Sequence, residues 1–330
     1  MNCELEDKIW DVRPTDFETL ALSIFRYQYH QIAVYKLFAD ATGKSPDAVQ
    51  TMEQIPFLPI HFFKTHSVIA AGIQPEIIFE SSGTTHTGNS RHMVRSLAVY
   101  ERSFIKTFEM FYGDISSWCI VGLLPSYLER QHSSLVLMVD QLIKRSGNKD
   151  SAFYLYEYDQ IASLITSNEK ASQKTLLIGV TYALLDFSEK FLLPLSFTTI
   201  METGGMKGRK KEITREEVHA RLSASWNQQA IHAEYGMTEL LSQAYSRGNG
   251  IFQCPPWMKL LLREEDDPLS IKKRKHHPVS GLVNIIDLAN IYSCSFIATD
   301  DLGVLHPDHR FKIAGRMDSS DIRGCSLMYP

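Results

Sequence analysis

The first clear pattern along the chain is helical. Apolar residues recur there at helical spacing: Phe17, Leu20, Ala21, Ile24 and Phe25. Thr15 and Glu18 stand three positions apart just before this run, which is the spacing of a capping box. The pattern predicts one helix from about Thr15 to about Asp40, ending before Gly43 and Pro46.

Beyond this helix, short apolar runs alternate with longer stretches of helical periodicity. The short runs cover residues 67–71, 77–79, 118–124 and 176–180. The helical stretches include residues 97–110 and 133–144. Alternation of this kind predicts an α/β fold with a substantially parallel sheet.

The pattern changes near residue 245. Turn-forming residues become frequent after this point: Gly248, Gly250, Pro255, Pro256, Pro268, Pro278, Gly281, Gly303 and Pro307. Runs with strand character cover 282–287 and 291–299. We therefore predict an α/β core over residues 1–244 and a β-rich meander or small barrel over residues 245–330.

Composition narrows the class of protein. The chain has 330 residues, 44% of them hydrophobic, and 34 basic against 38 acidic residues give a formal charge of −4. No charge excess favours nucleic acid or an anionic membrane as a partner. The longest uncharged run, residues 115–128, is too short to span a bilayer. Five widely spaced cysteines and an acidic start without a signal peptide predict a cytoplasmic protein.

A loop rich in hydroxyl side chains follows the apolar run at 77–79. It contains five serines and threonines, two glycines and a closing arginine: Ser81, Ser82, Gly83, Thr84, Thr85, Thr87, Gly88 and Arg91. Glycines let backbone N–H groups turn inward and hydroxyls add donors, so such a loop can hold phosphates. Solvated turns have a similar composition, and the order differs from that of a P-loop.

Three further sequence motifs follow the hydroxyl-rich loop along the chain. They are Y-G-M-T-E at 235–239, T-D-D-L-G at 299–303 and G-R-M-D-S-S-D-I-R-G at 315–324. Together with S-S-G-T-T-x-x-G at 81–88, they resemble the motifs of the adenylate-forming enzymes, which activate carboxylic acids with ATP. The resemblance implies that superfamily's N-terminal domain, with layered parallel sheets and helices, and a small β-rich or barrel subdomain.

The resemblance also implies roles for individual residues. The loop residues from Ser81 to Arg91 would bind the phosphates of ATP, and Tyr235 with Gly236 would flank the adenine. Thr238 would contact the α-phosphate as a catalytic group, and Glu239 would hold Mg²⁺. Asp301 would bind the ribose, although Asp300 replaces the usual glycine beside it. Arg316 would contact ribose or phosphate, and the turn Gly204-Gly205 would approach the adenine.

The end of the sequence points to one branch of the superfamily. Most members continue into a mobile C-terminal subdomain that contains a catalytic lysine. We expect this subdomain to be absent here. The ending Arg323-Gly324-Cys325-Ser326-Leu327 resembles that of the acyl-protein synthetases, the long-chain-fatty-acid luciferin-component ligases. In that family a C-terminal cysteine accepts the acyl group as a thioester and passes it to a reductase. Cys325 is the matching residue here.

The sequence therefore predicts an enzyme that uses Mg-ATP to convert a carboxylic acid, by resemblance a fatty acid, into an acyl adenylate. The acyl group would pass to a thiol, either that of Cys325 or that of a partner protein. Two alternatives stay open: a ligase that transfers to free CoA, and a non-catalytic adenylate-binding scaffold. Five histidines lie near the motif blocks in sequence, but the sequence assigns none of them a role: His61, His66, His86, His92 and His132.

Overall fold

A computed structural model describes residues 2–81, 88–125, 132–204, 213–273 and 275–317. The helices in these ranges are α1 (Asn2–Ile9), α2 (Phe17–Gln31), α3 (Ala33–Ala41), α4 (Phe62–Thr65), α5 (Leu97–Tyr112), α6 (Ser134–Ser146), α7 (Tyr158–Lys170), α8 (Thr181–Lys190) and α9 (Arg215–Trp226). Short 3₁₀ turns cover Met52–Gln54, Ile115–Ser117 and Leu288–Asn290.

The strands are β1 (Leu58–Pro59), β2 (Ile77–Glu80), β3 (Arg91–Val94), β4 (Cys119–Leu123), β5 (Ala152–Tyr154), β6 (Thr175–Val180), β7 (Thr198–Thr203), β8 (His232–Tyr235), β9 (Ala244–Ser246), β10 (Phe252–Gln253), β11 (Met258–Arg263), β12 (Val279–Asp287), β13 (Phe296–Leu305) and β14 (Phe311–Arg316). Twelve of them form one sheet, and β2 with β3 forms a separate hairpin.

The large sheet has a parallel half and an antiparallel half. Its order is β11-β12-β13-β14-β10-β9-β8-β7-β6-β4-β5, and β1 pairs in parallel with β13. Strands β5, β4, β6, β7 and β8 run parallel, and the strands from β8 to β11 along this order pair antiparallel. The predicted α/β fold with a parallel sheet is confirmed. The predicted boundary between 244 and 245 falls within β9 and stays a prediction.

The hydrophobic core lies on both faces of the parallel strands. All five residues of β4 and all six of β6 are buried, because helices joining parallel strands cover both faces of such a sheet. Helices α5 and α6 contribute large buried side chains, among them Phe104, Phe108 and Leu142. Within the described ranges, no helix is long and apolar enough to cross a membrane.

The predicted single N-terminal helix is wrong. Ile32 breaks it with an extended backbone (φ −112°, ψ 102°) between α2 and α3. The carbonyl of Gln31 accepts a hydrogen bond from the backbone N–H of Ala71 at 2.7 Å, so a tertiary contact replaces the helical bond. Burial of Ile32, which is fully enclosed, further favours the break over a continuous helix.

The predicted capping box is also absent. Asp16 occupies the N-cap position of α2 without a side-chain capping bond, and Thr15 Oγ1 donates to its carboxylate at 3.2 Å. Glu18 instead accepts a hydrogen bond from the backbone N–H of Met52 at 2.9 Å. The carboxylate thus accepts a hydrogen bond from the first N–H group of a distant 3₁₀ turn and not from the first turn of its own helix.

Two predicted strands also differ from the structure. Residues 67–71 are irregular because their backbone groups bond to other segments, as in the N–H of Ala70 to the carbonyl of Tyr292 at 2.9 Å. The run predicted at 291–299 becomes a strand only from Phe296, since the 3₁₀ turn Leu288–Asn290 and a bend precede it. The other predicted runs correspond to β2, β4, β6, β12, α5 and α6.

Candidate active site

Two predicted nucleotide contacts lie where parallel strands of the large sheet end. Gly204 directly follows β7 and has a positive φ of 71°, and Tyr235 is the last residue of β8. The carboxyl ends of parallel strands meet at one edge of a sheet, which is where ligands bind in open α/β folds. Gly236 follows Tyr235, and a Cβ there would overlap the carboxylate oxygen Oε1 of Glu234. A larger residue here would therefore require the Glu234 side chain to move.

The hydroxyl-rich loop is closed at its base by two hydrogen bonds. The backbone N–H of Ser81 donates to the carbonyl of Ser90 at 3.0 Å, and the N–H of Ser90 donates to Ser81 Oγ at 2.9 Å. Glu80 and Arg91 are opposite each other in the β2–β3 hairpin, with Arg91 Nε 3.8 Å from the carboxylate. Gly88 takes a positive φ of 84°. Ser82, Gly83, Thr84 and Thr85 lie outside the described residues.

Glu239 lies against the base of this loop. Its side chain is buried, and burial raises the pKa of the carboxyl group, while a hydrogen bond from the Ser90 side chain and the positive charges of Arg316 and Lys64 act in the opposite direction. The structure therefore brings the loop and the Y-G-M-T-E block together. Their binding roles stay predictions.

Three hydrogen bonds hold the backbone of residues 237–240. His92 Nδ1 lies 2.8 Å from the carbonyl oxygen of Thr238, so we assign the ring proton to Nδ1. Burial lowers the pKa of His92 to about 4, which keeps the ring neutral at physiological pH. The Asn290 side-chain amide donates to the carbonyl of Glu239 at 2.7 Å. The N–H of Leu240 bonds to the carbonyl of Met237 at 3.1 Å.

A second polar group lies at the β13–β14 hairpin. The Tyr235 hydroxyl donates to Asp301 Oδ2 at 2.7 Å, and burial raises the pKa of Asp301 although this bond and the charge of Arg316 lower it. Arg316 stands opposite Asp301 in the hairpin, with Nε 3.9 Å from Asp301 and Nη2 3.8 Å from Asp300. These long contacts leave the guanidinium, 62% exposed, available to a ligand.

A buried network supports the turn at Gly204. Thr181 Oγ1 lies 3.1 Å from a Glu202 carboxylate oxygen and 3.2 Å from the Gly204 carbonyl oxygen. The other Glu202 oxygen lies 3.1 Å from His219 Nε2 and 3.4 Å from Arg215 Nε. Although burial opposes it, the His219 hydrogen bond and the Arg215 charge lower the pKa of Glu202. Glu202 is therefore held ionised beside the turn. Gly205 lies outside the described residues.

Glu234 is the titratable group beside this network with the clearest pH signature. It is partly buried, it accepts a hydrogen bond from Thr203 Oγ1 at 2.6 Å, and desolvation of the carboxyl group raises its pKa to about 7. Such a carboxyl binds a proton on folding. Its contribution to stability is complete below about pH 4.5 and is lost as the pH rises through about 7.

Glu234→Gln should remove this dependence. Relative to the variant, the wild-type free energy of unfolding should fall by up to about 3 kcal/mol between pH 5 and pH 8. Urea unfolding of both proteins at several pH values measures this difference, which cancels the titration of all other groups. A difference that stays constant across this range would show that Glu234 titrates normally.

Sequence reasoning missed several residues that surround the site. Ser90, His92 and Asn290 contact the 238–239 segment. His61, just before α4, contacts Asp300, and the charge of Lys64 in α4 acts on Glu239. Ser90 could have been identified from the sequence, because it lies at the end of the hydroxyl-rich loop. Asn290 had no such local signal, because its contact with Glu239 spans 51 positions.

The residues fit Mg²⁺ only as part of a ligand complex. Across the described ranges, no group of three or more histidine, cysteine, aspartate or glutamate side chains could hold a metal alone. Glu239 offers one buried carboxylate, a hard oxygen donor. Mg²⁺ is commonly held by one or two carboxylates together with substrate phosphates and water, so Glu239 fits this ion when a nucleotide supplies the other oxygens.

The chain was compared with protein-family models, with known sequences and with solved structures. No protein-family model matches the chain. The long-chain-fatty-acid–luciferin-component ligase of Vibrio harveyi is 23% identical over 343 positions, covering 93% of this chain and 85% of that protein.

Solved structures share the fold. An open conformation of 2-hydroxyisobutyryl-CoA ligase, in complex with 2-HIB-AMP and CoA, matches with a TM-score of 0.62 at 10% identity, over 95% of this chain and 78% of that one. ATP-bound MatB from Rhodopseudomonas palustris matches with a TM-score of 0.55 at 18% identity, over 72% of this chain. The chain spans 47% of MatB, about half its length. The chain thus has the fold of the adenylate-forming acyl-CoA ligases, and its similarity to a luciferin-component ligase over nearly its whole length confirms the resemblance to the acyl-protein synthetases.

Proposed function

We propose that the protein activates a carboxylic acid, a fatty acid by analogy with its Vibrio harveyi relative, with Mg-ATP to give an acyl adenylate and pyrophosphate. The observation that carries this proposal is the position of Glu239. Its buried carboxylate meets Ser90 at the closed base of the hydroxyl-rich loop. A carboxylate beside a phosphate-binding loop has a clear use as a ligand for the cation that accompanies ATP.

The other site residues support the same reaction. Tyr235 would flank the adenine, Asp301 would accept hydrogen bonds from the ribose hydroxyls, and Arg316 with the loop residues and Arg91 would bind phosphate oxygens. A carboxylate oxygen of the acid attacks the α-phosphorus, the bond from this phosphorus to the bridging oxygen breaks, and pyrophosphate leaves. The Thr238 hydroxyl would donate to the α-phosphate as negative charge develops there. Mg²⁺ would neutralise phosphate charge when bound.

For the second step we propose Cys325 as the acyl acceptor. Its thiolate would attack the acyl carbonyl carbon and displace AMP, leaving a thioester that a partner such as an acyl reductase could accept. Cys325 lies outside the described residues, and the resemblance alone supports it. Cys119, Cys254 and Cys294 are poor alternatives, because burial raises the pKa of each thiol, to about 12 for Cys254 and Cys294, and a protonated thiol is a weak nucleophile.

One experiment separates these proposals. The protein is incubated with ATP, Mg²⁺ and a panel of carboxylic acids, and ATP–pyrophosphate exchange and intact mass are both measured. We expect acid-dependent exchange, and an added acyl mass that disappears in Cys325→Ala but persists in the matched control Cys254→Ala. An adduct that survives in Cys325→Ala contradicts the thioester proposal.

The same experiment tests the two alternatives. A ligase that uses free CoA would form acyl-CoA in a saturable manner and would carry no acyl mass. A non-catalytic scaffold would bind ATP without any acid-dependent exchange, and this result would overturn the proposed activation of an acid.

A further inference from the structure

A short segment remote from the four motif blocks reaches the candidate site. We call residues 58–65, which comprise β1 and α4, the β1–α4 arm. Its strand pairs in parallel with β13, with Leu58 opposite Ile297 and Pro59 opposite Ala298. The N–H of Ile60 then donates to the carbonyl of Ala298 at 2.9 Å. Because the two strands run in the same direction, the arm points toward Asp300 and Asp301.

Two side chains fix the arm at both ends of the site. His61 Nε2 lies 3.1 Å from Asp300 Oδ2, at the position where the resembling motif carries glycine. Phe63 is buried and packs edge-on against the His92 ring, with ring centres 5.7 Å apart. His92 in turn bonds to the carbonyl of Thr238. The arm is thus attached to the ribose end and to the Thr238 backbone.

Lys64, next to Phe63, is the remaining functional group on the arm. It is half-buried, and in the described part of the chain its ammonium forms no hydrogen bond and no ion pair at contact distance. Its positive charge acts on the buried carboxylate of Glu239, together with that of Arg316. An ammonium group without a contacting counter-ion can take an anionic ligand as its partner.

We propose that Lys64 binds the phosphate chain of ATP, as a cation contributed from outside the recognised motifs. The proposal rests on the proposed function only in that ATP is the ligand. An ammonium group is a compact positive charge with three hydrogen-bond donors, and it therefore binds phosphate oxygens well. Glu239 and the Ser81–Ser90 closure mark the phosphate end of the site, and the attachment of Phe63 to His92 holds Lys64 beside it.

The test compares equilibrium binding of Mg-ATP and of adenosine, measured by calorimetry with direct and displacement titrations. Lys64→Met keeps the length of the side chain and removes its charge. We expect it to weaken ATP binding by about ten-fold or more and to leave adenosine binding unchanged. Lys64→Arg should restore most of the ATP affinity, and Lys149→Met, an exposed lysine elsewhere, should bind ATP like the wild type.

The outcomes separate this inference from the proposed function. Wild-type protein that fails to bind ATP contradicts the proposed function itself. Wild-type binding of ATP with unchanged affinity in Lys64→Met overturns the role of Lys64 alone. An equal loss of ATP and adenosine binding would also overturn it, because damage to the whole site, and not a lost phosphate contact, would then explain the effect.

Discussion

Glu239→Gln is expected to lower the rate of acid-dependent ATP–pyrophosphate exchange by about 100-fold or more. Glutamine keeps the size of the side chain and can still accept the hydrogen bond from Ser90, but it removes the negative charge. A neutral amide is a poor ligand for Mg²⁺, so phosphate charge would go unneutralised at the proposed phosphate site. Exchange measured over a range of Mg²⁺ concentrations tests this expectation.

The matched control is Glu217→Gln on α9. Glu217 is an exposed carboxylate paired with Arg221 at 2.6 Å, and its replacement should leave exchange unchanged. Both variants should show the wild-type melting temperature within a few degrees. Full exchange activity in Glu239→Gln at saturating acid and Mg²⁺ would remove Glu239 from the proposed mechanism.

Asp287→Asn is expected to lower the free energy of unfolding at pH 8 by about 3–5 kcal/mol, more than any other substitution proposed for this protein. Asp287 is fully buried, and its four acceptor positions are all used. Oδ2 accepts from the N–H groups of Leu241 and Ser242 at 2.8 and 2.9 Å, and Oδ1 accepts from Ser242 Oγ at 2.6 Å and the N–H of Ala289 at 3.2 Å. An amide NH₂ would face donors on either side.

Urea unfolding of the wild type and variant measures this loss. Burial raises the pKa of Asp287 to about 6, so at pH 8 the group is ionised and the comparison with neutral asparagine is direct. The control Asp308→Asn alters an exposed carboxylate that pairs with Arg310, and it should change stability by less than about 1 kcal/mol. Equal stability of Asp287→Asn and the wild type would mean that this network is not essential.

The sequence predicted those parts of the fold that depend on local periodicity. Strands such as β4 and β6 are continuous apolar runs in the sequence, because both faces of a parallel sheet are covered. A helix such as α6 is recognised because its apolar residues recur at helical spacing. The break at Ile32 could not be predicted, since it depends on a hydrogen bond from Ala71 to Gln31. Glu18 illustrates the same limit: its spacing from Thr15 predicted a local capping box, but its carboxylate accepts a hydrogen bond from the distant backbone N–H of Met52.

The site shows a similar division. Tyr235 and Asp301 belong to two separate motifs, and a hydrogen bond joins them across 66 positions. Residues without a motif, such as His61, could not be placed, because their positions follow from strand pairing and not from local sequence. The roles of the loop residues and of Cys325 stay predictions that depend on the resemblance.

The pairing of β1 with β13 has a consequence for folding. Leu58 meets Ile297 only after more than two hundred intervening residues have been synthesised, and contacts of such long sequence separation form slowly. The edge of the site that contains Asp300 and the arm is therefore assembled late, after the parallel strands have had time to pair. A growing chain on the ribosome would pair its central parallel strands before it completed the candidate site.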